Sequence, residues 1–145
     1  MSATLPPARD ESSYRMWVDE RVRFADLDLM GHVNNKAYMT YAESGRVGFL
    51  LKTGMWVPGA ARQNVVARQE IDYLNELHFP AEIRIGVRVL AVGRSSYTIG
   101  LGIFGPQGCV ASVVTVMVRI DAATHAKLAL DDEEKARLQP WLATA

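Results

Sequence analysis

The chain has 145 residues, 49% hydrophobic and 22% charged, with 16 basic side chains against 16 acidic ones. That length fits one domain able to bury a core, and the balanced charge gives no overall field for nucleic acid or an anionic membrane. The single cysteine, Cys109, excludes an intrachain disulfide and fits a reducing compartment. Residues 1–13 lack the continuous apolar stretch of a secretory signal, and no apolar run is long enough to span a bilayer. The expectation is a cytoplasmic protein with no membrane or nucleic-acid partner.

Residues 1–13 (MSATLPPARDESS) hold little to bury and two consecutive prolines, so a loose tail is expected ahead of one domain over 14–145. From 17 to 24 (WVDERVRF), Val18, Val22 and Phe24 share one face, interrupted by Glu20. Asp19, Arg21 and Arg23 share the other, as in a strand with one wet side.

Residues 34–53 (NNKAYMTYAESGRVGFLLKT) change period. Tyr38, Tyr41, Ala42, Gly45, Gly48 and Phe49 recur at spacings of three and four, a helical stripe. Asn34 suits the N-cap and Gly54 the stop. Gly45 and Gly48 would each cost a helix about 1 kcal/mol against alanine, which makes sense if the helix lies close against another backbone.

After Pro58 the pattern is strands. Residues 64–73 (NVVARQEIDY) put Val65, Ala67, Ile71 and Tyr73 on one face with Gln69. In EIRIGVRVLAV, Ile83, Ile85, Val87, Val89 and Ala91 alternate; after GRSS, Tyr97, Ile99, Leu101 and Ile103 do the same. Gly105-Pro106-Gln107-Gly108 is a turn by composition. Beyond it Val110, Val114, Val116, Val118 and Ile120 stand against a mixed face. Short connections make the last three strands an antiparallel meander. The acids-then-bases order of DDEEKARLQPW suits a short helix ending near Pro140.

One antiparallel sheet with one helix across a single face is an α+β layer arrangement. Its other face, or an edge, would favour a partner subunit.

The segment VRFADLDLMGHVNNKAYMTYAESGR, residues 22–46, resembles the hotdog-fold acyl-CoA thioesterases, particularly the 4-hydroxybenzoyl-CoA thioesterase-like group. It joins a strand, an Asp-x-Asp, Gly-His-Val-Asn-Asn, an early helical tyrosine and a Glu-x-x-Arg. EIDYL (70–74) and VGRSSYTI (92–99) are weaker matches. The resemblance implies an antiparallel sheet wrapped around one long central helix. It also implies a homodimer or dimer of dimers with sheets joined edge to edge, and active sites at the subunit boundary. In the group the reactive carboxylate is the second aspartate, here Asp28. The backbone N–H seven residues later, here Asn35, polarises the thioester carbonyl.

The spacing makes chemical sense by itself. A carboxylate one short loop before a helix can share a pocket with the N–H groups at the positive end of the helix dipole. A thioester already has a good leaving group, so an oxyanion site and a carboxylate suffice, the latter activating water or attacking directly. The plainer reading of Asp28 is a loop carboxylate bonded to local backbone, and Asp26 is read as bracing that loop.

His32 is read as shaping the turn and lining the entrance, since no serine or cysteine beside it forms a nucleophile motif. Asn34 caps the helix at the same entrance; the role given to Asn35 concerns its main chain, so it coexists with capping. Tyr38 faces either the acyl pocket or the core. Val66 and Ala67 belong to the strand, contributed by a partner, that would wall the pocket. Arg94, Ser95 and Ser96 either meet a CoA phosphate, which arginine's rigid fork suits, or form a polar connection. Glu43 is the rival base, because some hotdog thioesterases carry theirs on this helix; its bland role is an i,i+3 pair with Arg46. His32, His78 and His125 show no metal-ligand spacing, and no cofactor is implied beyond the CoA of the substrate.

The expected function is hydrolysis of an acyl-CoA to free acid and CoA. An acyl-carrier-protein thioesterase would use the same chemistry on a protein partner. A hotdog dehydratase would rest on His32 rather than Asp28. A non-catalytic acyl-CoA-binding sensor would need a DNA-binding segment, for which the thirteen-residue tail offers no room.

Overall fold

The long helix α1 (Asn35–Thr53) starts and stops on its own local chemistry. In the computed structural model, which describes residues 8–143, Asn34 keeps extended backbone angles and its side-chain oxygen accepts from the Lys36 N–H at 3.0 Å. Gly54 closes the helix in the left-handed region at φ 74°, its N–H reaching the Leu51 carbonyl. The buried face carries Ala37, Tyr38, Tyr41, Ala42, Gly45, Phe49 and Leu50. A Cβ on Gly45 would lie 2.5 Å from Ile85 Cγ2, and one on Gly48 2.7 Å from Val18 Cγ2. The glycines therefore admit sheet side chains, rather than sheet backbone, against the helix axis.

That sheet has five antiparallel strands in the order β1-β3-β4-β5-β2: β1 (Met16–Arg21), β2 (Arg62–Tyr73), β3 (Glu82–Val92), β4 (Ser96–Gly105) and β5 (Gly108–Asp121). Strands β3 to β5 are the expected meander. Ile83, Ile85, Val87 and Val89 of β3, with Tyr97, Ile99, Leu101 and Ile103 of β4, form the floor on which α1 rests. An antiparallel sheet curled on one long helix is the α+β hotdog fold.

Three local expectations are corrected. Strand β1 ends at Arg21, and Phe24 leaves the apolar face for a 3-10 turn (Phe24–Asp26) where it is 75% exposed. The Asp26 carboxylate accepts from the Arg23 N–H at 2.8 Å and turns the chain there. On β5 the inward parity is the other one: Val113, Thr115, Met117 and Arg119 are buried, whereas Val114 is exposed. Strand β2 is bulged between Val66 and Arg68, so Val65 pairs with the outward Val118 while Gln69, Ile71 and Tyr73 pair with the inward Thr115, Val113 and Ala111.

The closing helix α2 (Asp132–Leu138) is started by a capping box between Asp131 and Glu134. Glu134 is buried, and its carboxylate accepts from Arg62 at 2.6 and 3.1 Å and from Arg119 Nε at 2.6 Å. Arg119 also donates to the Met55 carbonyl at 2.8 Å, so one buried network ties α2 to β2, β5 and the end of α1. Of the expected tail, residues 1–7 lie outside the described residues; Glu11–Ser13 form a 3-10 turn, and the buried Tyr14 donates its hydroxyl to the Ala8 carbonyl at 2.7 Å.

Candidate active site at the start of the long helix

Between β1 and α1 the chain folds into a tight loop. Leu27 and Val33 form an antiparallel bridge, and the Asp28 N–H donates to the His32 carbonyl at 2.8 Å. Gly31, at φ 81°, turns the tip, its N–H reaching the Asp28 carbonyl at 3.1 Å. Asp28 Oδ1 accepts from the Met30 and His32 N–H groups at 2.9 and 3.1 Å. One oxygen of this carboxylate thus braces the loop, as the plainer reading of Asp28 requires. Oδ2 has no hydrogen bond among the described residues, so a structural and a chemical role are compatible in one side chain.

The loop is fastened to α1 through Asp26. Its Oδ2 accepts from the Tyr41 hydroxyl at 2.6 Å, and its carbonyl accepts from the Asn34 N–H at 2.8 Å. Burial first, then the bond to Asp26, pushes the Tyr41 hydroxyl well above its ordinary range, so the proton stays on tyrosine.

At the helix start the Lys36 N–H goes to the Asn34 side chain and the Ala37 N–H to the Asn34 carbonyl. The Asn35 N–H has no partner among the described residues. Asn35 lines a groove of about 340 Å³ with His32, Val33, Tyr38 and residues 73–77. Tyr38 meets the Tyr73 ring edge-on at 5.3 Å. Burial, then Tyr73 and Glu76, raise the Tyr38 hydroxyl pKa, which keeps it a neutral donor. The groove therefore brings together the positive end of a helix, an aromatic wall and, through His32 and Val33, the loop that carries Asp28, which is not itself among the lining residues.

Other expected residues stand elsewhere in the same chain. Val66 and Ala67 are exposed at the bulge of β2, a sheet edge. Arg94 and Ser95 turn between β3 and β4 and Ser96 opens β4 at the Val118 level of β5, whereas Tyr73 sits at the Ala111 level. Seven residues of strand separate those levels, roughly 24 Å. Glu43 is 66% exposed, 3.7 Å from Arg46 and two turns beyond the helix start.

Tyr73 and the residues after it were not singled out as wall residues in the sequence; the only pointer was the EIDYL match. A larger concavity, about 1360 Å³, lies between residues 19–24 and 79–84. The Asn35 N–H is not in it, and Glu20 and Glu11 there engage Arg23 and Arg84. Among the described residues no group of three or more His, Cys, Asp or Glu is placed to hold a metal ion, and no helix is long and apolar enough to cross a membrane.

Residues 22–145, from the end of β1 to the C-terminus, match the family model of the thioesterase-like superfamily. The chain belongs to that superfamily. YsmA of Bacillus subtilis is 33% identical over 131 residues, 88% of each chain. The solved PA5185 protein of Pseudomonas aeruginosa superposes with a TM-score of 0.84 at 25% identity, covering 92% of this chain and 96% of that one. A Thermus thermophilus thioesterase solved with coenzyme A and Zn gives 0.78 at 29% identity, covering 89% and 95%. Membership of this superfamily supports thioester hydrolysis as the chemistry of the chain.

Proposed function

We propose that this thioesterase-like protein hydrolyses an acyl-CoA to free acid and CoA in the groove at the start of α1. The observation that carries the reading is the Asn35 N–H, without a partner among the described residues, at the head of a 19-residue helix and beside the loop that holds Asp28. The thioester oxygen accepts from Asn35 as the carbonyl carbon becomes tetrahedral, and the helix dipole favours the charge that develops. Asp28, through Oδ2, takes a proton from the attacking water or attacks the carbon itself. Collapse then breaks the C–S bond and releases the CoA thiolate, which takes up the proton; on the direct route the acyl group is left as an anhydride on Asp28, which water hydrolyses to the free acid.

In this reading two copies meet along the β2 edges, where Val65, Val66 and Tyr73 are 42–49% exposed. Val66 and Ala67 of the second copy then wall the groove. Arg94, Ser95 and Ser96, far from Asn35 within one chain, serve the CoA phosphates across the subunit boundary. His32 and Tyr38 line the acyl entrance, with Asn34 holding the helix start in place.

The test is free-thiol release from short, long and aromatic acyl-CoAs by wild type, Asp28→Asn and Glu43→Gln, with the mass in solution measured by light scattering. Hydrolysis of at least one class, lost in Asp28→Asn, supports the proposal. Unchanged rates in Asp28→Asn with loss in Glu43→Gln would move the chemistry to the helix. Tight binding without hydrolysis would make the protein a sensor. A monomer with full activity would remove the shared site.

A further inference from the structure

Asp26 joins three parts of the site region. Its carboxylate accepts from the Arg23 N–H at 2.8 Å and from the Tyr41 hydroxyl at 2.6 Å, and its carbonyl accepts from the Asn34 N–H at 2.8 Å. The first contact fixes where the chain leaves β1. The third fixes the residue that caps α1. The second ties both to the middle of the helix, through a tyrosine with 0% exposure. Asp28 lies two residues after this junction and Asn35 one residue after the cap, so the junction flanks both in the chain.

Packing alone does not demand the Tyr41 hydroxyl. Its ring already packs in the core and meets the ring of Tyr38, which lines the groove, at 6.1 Å. A phenylalanine would fill the same space but leave the Asp26 carboxylate held only by the Arg23 N–H. The loop would then be free to shift against the helix start, and small misplacements of reacting groups are costly to rate.

We infer that Tyr41 and Asp26 form a positioning pair that holds Asp28 in register with the Asn35 N–H. The inference rests on the reading of Asp28 given above. It assigns Tyr41 a task beyond the core: it acts on the reaction through the loop and touches no substrate.

The test measures kcat and KM for thiol release, per folded protein, in Tyr41→Phe, Asp26→Asn, Asp28→Asn and the double variant Tyr41→Phe/Asp28→Asn. Tyr41→Phe is expected to lower kcat about tenfold or more with KM within about twofold. Asp26→Asn, whose amide oxygen can still accept from Tyr41, should stay within about threefold of wild type. In the Asp28→Asn background Tyr41→Phe should cost less than about twofold, because the group being positioned is already gone. If Tyr41→Phe does not fold, Asp26→Glu, which keeps the charge but moves the oxygens, takes its place with the same expected loss.

Wild-type kcat in Tyr41→Phe, or an equal fractional loss in both backgrounds, would overturn the pair while leaving Asp28 intact. Wild-type activity in Asp28→Asn would overturn the underlying reading, and the pair with it.

Discussion

Asp28 and His32 are joined twice: the Asp28 N–H donates to the His32 carbonyl at 2.8 Å, and Asp28 Oδ1 accepts from the His32 N–H at 3.1 Å. The pair closes the loop between β1 and α1. It also assigns His32 a backbone task, with an exposed ring at the groove entrance.

The two oxygens of Asp28 can be tested separately. Asparagine keeps an Oδ1 for the Met30 and His32 N–H groups but loses the negative charge. Asp28→Asn should therefore stay within about 0.5 kcal/mol of wild-type stability while kcat falls about 100-fold or more. Asp28→Ala should lose the same activity and a further ~1 kcal/mol, from two unanswered N–H groups. Urea unfolding alongside thiol release separates the two effects.

A main-chain donor can be deleted at Asn35, because it is the first residue of α1. Proline is favoured at that position, and its missing N–H is one that the helix does not use. Asn34, at φ −66° and ψ 143°, already has the backbone that a following proline requires. Asn35→Pro is expected to fold yet lose about 100-fold or more in kcat, the scale for one oxyanion donor. Asn35→Ala should keep most of the activity. Equal activity in the two variants would remove the N–H from the mechanism.

Gly45 separates helix propensity from packing. Alanine would favour the helix by about 1 kcal/mol. Its Cβ, however, would fall 2.5 Å from Ile85 Cγ2 and 3.0 Å from Leu101 Cδ2, both fixed in the core. Overpacking of that kind costs about 1–3 kcal/mol, so Gly45→Ala is expected to be destabilising. A lower urea midpoint at unchanged slope is the expected result, and a raised midpoint would show that the core yields.

Acid stability should report on Glu134. Burial by itself would raise this carboxyl, but hydrogen bonds from Arg62, the Asp131 backbone and Arg119 win and hold it near 2, below the ordinary 4.5. A depressed native pKa adds stability above the unfolded value, and that contribution is lost as pH falls from about 4.5 towards 2. Glu134→Gln leaves Arg119 buried without its counter-charge and should cost roughly 3–5 kcal/mol at neutral pH. The gap between wild type and variant in thermal melts should narrow across that acid window. A constant gap would place the stabilisation elsewhere.

Most of the fold is legible along the chain. The stripe from Tyr38 to Phe49 with Asn34 and Gly54 at its ends marks α1, and the clean alternation from Ile83 to Ile103 marks the centre of the sheet, because each signal is local. Strand β5 is different. Its valines occupy both parities, so alternation cannot say which side is buried.

At the site, local sequence determined the parts: two carboxylates, a glycine for the turn, a cap and a helix whose first N–H groups need partners. Tertiary structure decided which contacts the parts make. It gave Asp26 the Tyr41 hydroxyl, 15 residues away, and put Asn35 in one groove with Tyr73, the last residue of β2. It buried Thr115 and Arg119 because Gln69, at 3.1 Å, and Glu134 supply their hydrogen bonds. A polar group can be buried only where a partner waits. Such partners come from distant segments, so periodicity within one segment cannot reveal them.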